Sequence, residues 1–251
     1  MSRITVALIA ALTCLSARAM ADDITGEVGS GLSYQPRDPS GTGYETRPVP
    51  YLDLGWGDVS LGTDDGMTWD ALSVSGFAAG PFVNYLPGRT SNGELQGLHD
   101  VPGRGVLGGF VQYAPADFWR VFAFVGQAVG GRGGGVLARV GGEAGYPLGG
   151  GVIGSNNLTA HFADARQNQT FFGVDSDEAR SSGIAPYTAG GGLQKVTLTQ
   201  SFEFPLALNW SLLSSASWIR LMGHAADSSI VKAVGDRSQG EVQVALAYTF
   251  D

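Results

Sequence analysis

Few side chains in this sequence are of the kinds that do chemistry, and their spacing limits what they can do. The three histidines are His99, His161 and His224. None has a second histidine or a cysteine two to five residues away, the usual spacing of a metal site, so no metal centre is expected. His99-Asp100 and Asp64-Asp65 could supply the acid and base of a hydrolase if two external turns brought them together. Asp and His in polar turns are more often solvated turn formers, and no catalytic residue is assigned. Gly103-Arg-Gly-Val-Leu-Gly108 satisfies G-x-G-x-x-G, yet it follows a loop and opens a strand pattern, whereas a dinucleotide site must open a helix. Gly130 to Gly135 and Gly149 to Gly151 lack the Lys-Ser/Thr of a phosphate loop and read as turn glycines. No G-x-S-x-G nucleophile pattern occurs. No cofactor is expected, and the protein is not expected to be an enzyme.

The elements around these residues carry more information. Residues 1–21 read as a cleaved signal peptide: Arg3 gives a positive start, Ile4 to Leu15 an apolar core, and Ala19-Met20-Ala21 a cleavage site. The apolar run is shorter than the ~20 residues a membrane helix needs. Cys14, the single cysteine, lies in that segment after Thr13, so neither a lipid anchor nor thiol chemistry is expected. Residues 22–251 then form one domain. Without Arg3 and Arg18, 13 basic residues face 23 acidic ones, a net charge of about −10 that argues against nucleic acid as a partner. The 39 glycines are well above the ~7% average, and with 43% hydrophobic content they fit strands and tight turns rather than disorder.

The last residues show the pattern most clearly. Val242, Val244, Leu246, Tyr248 and Phe250 alternate with Glu241, Gln243, Ala245, Ala247 and Thr249. Side chains of a strand alternate between its two faces, so one face suits an apolar medium and the other a polar one. The same alternation recurs at 24–34, 47–56, 59–63, 67–73, 76–86, 105–113, 118–129, 135–146, 152–163, 187–204 and 209–222. Most of these runs reach the ~9–11 residues of a tilted membrane strand, and the links alternate between short turns and long polar loops. The predicted fold is all-β: a closed antiparallel transmembrane β-barrel of about 12 strands, or 10 if the short 59–73 region holds fewer elements. Glu27, Arg139, Glu143, Lys195 and Glu203 fall on the lumen face with both signs, and in a small barrel they are expected to pair and fill the interior. Trp56, Trp69, Trp119, Trp210 and Trp218 are expected in the aromatic girdles at the membrane surfaces.

Several stretches together resemble the MltA-interacting protein family, also called MipA/OmpV. They are Arg47-Pro-Val-Pro-Tyr-Leu-Asp-Leu-Gly-Trp56 with Asp65-Gly66, Ala79-Gly-Pro81, Gly88-Arg89, and Leu98 to Val101 leading into Gly108-Gly-Phe-Val-Gln-Tyr113. Phe171-Phe-Gly-Val174, Ala179 to Gly183 and Pro186-Tyr-Thr-Ala-Gly-Gly-Gly192 complete the match, which runs from about residue 24 to 250. The resemblance implies a barrel in the outer-membrane lipid that scaffolds murein synthesis, joining a lytic transglycosylase to a penicillin-binding protein. Other members resemble porin-like or adhesin-like surface barrels, so a narrow passage or a surface contact is the alternative. It brings no catalytic residues. One departure is Asp251, which follows the expected terminal aromatic Phe250.

Overall fold

Alternation over the closing segment becomes a strand of 13 residues, Ser238–Phe250, and the same pattern builds the rest of the wall. The computed structural model describes residues 24–116, 118–130 and 134–250. The expected signal segment 1–21 and the terminal Asp251 lie outside them. Thirteen strands follow in chain order: β1 (Thr25–Pro36), β2 (Tyr44–Trp56), β3 (Val59–Gly62), β4 (Gly66–Trp69), β5 (Leu72–Val74), β6 (Phe77–Leu86) and β7 (Arg104–Ala116). After them come β8 (Trp119–Val129), β9 (Val136–Gly149), β10 (Val152–Ala163), β11 (Gly192–Ala207), β12 (Trp210–Leu221) and β13 (Ser238–Phe250). Consecutive strands pair antiparallel except β4 and β5, which both pair with β6, β4 through Met67–Val83 and Thr68–Phe82, and β1 pairs with β13. The wall is therefore closed.

β4 and β5 both lie along β6, interrupted at Asp70-Ala71, where the Ala71 N–H turns back to the Trp69 carbonyl at 2.9 Å. They form one broken stave, so the barrel has twelve. The expected single strand over 67–73 is this stave, and the bulge is the feature that alternation alone does not show. A Cβ at Gly80 would stand 1.8 Å from the Trp69 carbonyl oxygen, so glycine is required where β6 passes the bulge.

The outward face is apolar over most of its extent, with Asn156 and Gln200 as a polar pair across β10 and β11. Val125, Leu158 and Leu246 are 56%, 55% and 44% exposed on it. A belt of this extent is not tolerated in water, and hydrocarbon is the medium that accommodates it. Trp56, Trp69, Trp119 and Trp210 gather at the short-turn end, where Trp119 meets Tyr113 and Trp210 meets Tyr248 edge to face. Trp218, Tyr85 and the stacked pair Tyr34–Tyr44 ring the other end. Both girdles are present as expected.

One part of the wall is low. β3 and β4 are four residues each, so their turn at Thr63–Asp65 stops part-way up, and among the described residues no strand pairs with Tyr44–Tyr51 on that side of β2. The Thr63 N–H donates to the Leu52 carbonyl at 2.9 Å, and the Leu52 N–H to Thr63 Oγ1 at 2.8 Å. Strand groups point alternately to either side, so Pro50 and Pro48 present their nitrogens to the same open edge, where proline has no N–H to leave unsatisfied. On the facing strand Asn84 Oδ1 accepts the Tyr85 N–H at 2.7 Å.

The long connections, expected as loops, contain helices: α1 (Ala165–Phe172), α2 (Ser176–Ser182), α3 (Gly223–Ala226) and α4 (Ser229–Ala233). Segments this short have too few turns for a 3.6-residue period to be visible. Three of the four begin with a side-chain cap, which is a local signal. Asp164 accepts the Gln167 N–H, and Asp175 and Glu178 form a reciprocal capping box that ends at Gly183 in the left-handed conformation. The stretch 187–191, expected as the start of the tenth strand, is not strand; its Tyr187 only bridges to Val174.

Candidate functional site

The interior of the barrel and the roof over its long-loop end are where polar and charged groups converge. Asp65, on the low β3–β4 turn, points into the lumen and accepts from Arg120 Nη1 of β8 at 2.8 Å and from Arg139 Nη2 of β9 at 2.5 Å. Arg120 Nε also reaches Glu143 Oε2 at 3.3 Å. The two guanidinium groups lie on aromatic faces, Arg139 at 4.0 Å from the Phe124 centroid and Arg120 at 4.9 Å from that of Phe122. Such contacts contribute about 0.5–2 kcal/mol each. Behind them Phe82, Val106, Phe110, Phe122 and Phe124 form a buried apolar cluster on the β6–β8 wall. The ion-pair cluster thus ties the low turn to the opposite strands and crosses the lumen.

The other lumen charges lie where alternation placed them. Glu27 accepts from Thr249 Oγ1 at 3.0 Å, and Glu203 from Ser211 Oγ at 2.7 Å. Arg139, His161 and Lys195 stand in direct register across β9, β10 and β11 and make a basic row towards the roof. Glu27 and Asp53 stand opposite one another across β1 and β2 near the short-turn end. The expected pairing is met for Arg139 and Glu143, but through Asp65 and Arg120. Neither was singled out as a lumen charge: Asp65 was expected in an external turn. A four-residue hairpin cannot reach the rim, and this brings Asp65 inside instead.

The long loops and their helices fold over the mouth as a cap with two apolar clusters of its own. One joins Val101, Phe171, Phe172, Leu221, Ala225, Ala226 and Val231. The second joins Leu95, Leu98, Val174, Ile184 and Ile230. Buried Arg89 laces the 87–103 loop to α1, donating to the Phe171 carbonyl at 2.6 Å and to the His99 carbonyl at 3.2 Å. Ser228 Oγ donates to the Phe172 carbonyl at 2.6 Å.

The histidines occupy three separate places: His99 in the cap, His161 in the lumen wall, and His224 on α3, beside the Tyr187 hydroxyl. His99 and Asp65 are not brought together: His99 sits in the cap beside Glu178, and Asp65 in the lumen between Arg120 and Arg139. His99 Nδ1 instead lies 3.2 Å from Glu178 Oε1 and 4.0 Å from Asp175 Oδ2, the one grouping of three possible metal ligands among the described residues. Sequence spacing could not find it, because His99 and Glu178 are 79 positions apart. Both carboxylates already serve the backbone. Glu178 accepts the N–H groups of His99 and Asp175 at 2.9 Å each, and the backbone N–H of Glu178 holds the Asp175 carboxyl below its ordinary range. The arrangement is that of a clasp between α2 and the 87–103 loop. Gly103 to Gly108 opens strand β7 and no helix, so the dinucleotide pattern has no phosphate-binding context.

The family model described as MltA-interacting protein MipA matches residues 28–250. The chain belongs to that family. This MipA-family barrel is also similar to three solved structures. They are the NanC porin (6% identity, 90% of this chain and 100% of that one, TM-score 0.47), the outer membrane protein OprG from Pseudomonas aeruginosa (15%, 92% and 96%, 0.31) and an anion-selective porin from Comamonas acidovorans (11%, 91% and 99%, 0.38). At these scores the three say nothing about what this chain carries. No curated protein matches the sequence.

Proposed function

We propose that this MipA-family chain is an exported, non-enzymatic barrel of the Gram-negative outer membrane that holds a lytic transglycosylase and a penicillin-binding protein together. The observation that carries the reading is the family match over residues 28–250, a family described by its interaction with MltA. The interior supports it: a lumen crossed by the Asp65–Arg120–Arg139 cluster, under a packed cap, leaves the surface as the working part. The short-turn end offers apolar anchors, with Leu148 54% exposed and Leu208, at the tip of the β11–β12 turn, fully exposed. Those turns are small beside the ~800 Å² per partner of a standard interface, so the lower barrel wall contributes area as well.

A pull-down from detergent-solubilised envelopes on the immobilised, folded barrel tests this, with bound proteins identified by mass spectrometry. Recovery of both murein enzymes, reduced by Leu148→Asp with Leu208→Asp, is the expected result. Their absence with a folded bait overturns the scaffold reading. The alternative, a narrow passage for small solutes, draws support from the hydroxyl and carboxylate lining of Glu27, Thr199, Ser217 and Glu203, and would appear as single-channel conductance in planar bilayers.

A further inference from the structure

Arg104 opens β7 with its side chain directed inward, on the same face as Val106 and Phe110, immediately under the cap. It is 3% exposed, and its Nε, Nη1 and Nη2 are all buried without a hydrogen-bond partner among the described residues. Its one close contact of note is the ring of Phe171 on α1, 5.7 Å from the guanidinium carbon. Buried cations are normally paired, because an isolated charge taken from water is among the most costly arrangements a fold can hold. The neighbouring buried arginine illustrates the rule. Arg89 places two nitrogens on the carbonyls of Phe171 and His99 and keeps only Nε free.

A second unpartnered polar atom lies on the same helix as Phe171. Gln167, one helical turn before Phe171 on α1, is 1% exposed and its amide oxygen has no hydrogen-bond partner among the described residues. In the lumen below, His161 and Lys195 stand in register beside Arg139, whose own charge is met by Asp65. Three guanidinium nitrogens in a planar fork match two oxygens of a carboxylate or phosphate, and the Gln167 oxygen can accept from a hydroxyl or a protonated oxygen on the same molecule.

We propose that Arg104, with Arg89 and Gln167 around Phe171, forms a binding site for a small oxyanion, a carboxylate or a phosphate, between the lumen and the cap. The site is independent of the scaffold reading: it needs the folded barrel and no protein partner.

Calorimetric titration of the purified barrel in zwitterionic detergent tests it, with inorganic phosphate in one arm and acetate or citrate in the other. Sodium chloride at matched ionic strength is the control. Saturable binding in at least one oxyanion arm, with no equivalent in chloride, is expected, and the arm that saturates identifies the class. Arg104→Gln should abolish it. The same variant, without oxyanion, should unfold at a higher temperature than the wild type, because it removes an unpaired buried charge; a merely structural Arg104, held by Phe171, predicts the opposite. Arg104→Lys keeps the charge and loses the fork, so affinity should fall about tenfold or more while the unboiled barrel keeps its faster gel mobility. If Arg104→Gln does not fold, this lysine variant decides the matter. The proposal is overturned if neither oxyanion binds more than chloride, or if the variant that folds binds as the wild type does.

Discussion

Asp65 shows how much one side chain can hold. It is the shared acceptor of Arg120 and Arg139, and all three are less than one-third exposed. Asp65→Asn keeps the shape and removes the charge, leaving two guanidinium groups on aromatic faces with Glu143 as their remaining carboxylate. Unfolding in urea, followed by tryptophan fluorescence, should show a loss of about 2–4 kcal/mol, the scale of a broken buried pair. Asp177→Asn, at an exposed ion pair with Arg180 on α2, should change stability by less than about 1 kcal/mol. Equal effects would mean that the lumen cluster is as screened as a surface pair. Alternation identified Glu27, Arg139, Glu143, Lys195 and Glu203 as lumen-facing because each sits inside a long strand with period two. It could not identify Asp65, whose side is decided by the height of a turn, or Arg104, which stands at the boundary between a loop and a strand.

At the scale of elements, the low β3–β4 hairpin leaves Tyr44–Tyr51 of β2 without a strand partner on one side among the described residues, and Pro48 and Pro50 stand on that edge. An unpaired strand edge is a template for adding another chain, and proline denies it donors. Pro48→Val with Pro50→Val would restore two N–H groups to the open edge. The double variant should form dimers on unboiled gels at concentrations where the parent is monomeric, and should fold less completely into vesicles. A variant as monomeric as its parent would show that the cap or lipid, rather than proline, protects the edge. Strand existence was readable nearly everywhere, and the ninth run, 152–163, coincides with β10. What was not readable was the bulge at Asp70-Ala71, where the outward set passes from Met67 and Trp69 to Leu72 and Val74 in runs too short for the change of phase to register, and the helices of the cap, whose four to eight residues carry less pattern than a membrane strand does. The capping residues Asp164, Asp175 and Glu178 were the available signal, at the local scale where propensity rather than periodicity decides.

The whole molecule joins two units with different solvents. Its wall turns apolar side chains outward, and the roof turns them inward, as the buried Phe171, Phe172 and Ile230 show. This inversion follows from the medium: hydrocarbon accommodates the belt of Val125, Leu158 and Leu246, whereas the cap stands in water and needs a core of its own. Everything argued for the lumen, the open edge of β2 and the roof depends on that belt facing lipid. The most direct measurement is therefore separation of cell envelopes carrying the chain, with boiled and unboiled samples of each fraction compared on one gel. The account predicts that the chain sediments with the outer membrane and migrates faster unboiled than boiled. Recovery in a soluble fraction, with no change on boiling, would contradict the membrane barrel and every reading built upon it.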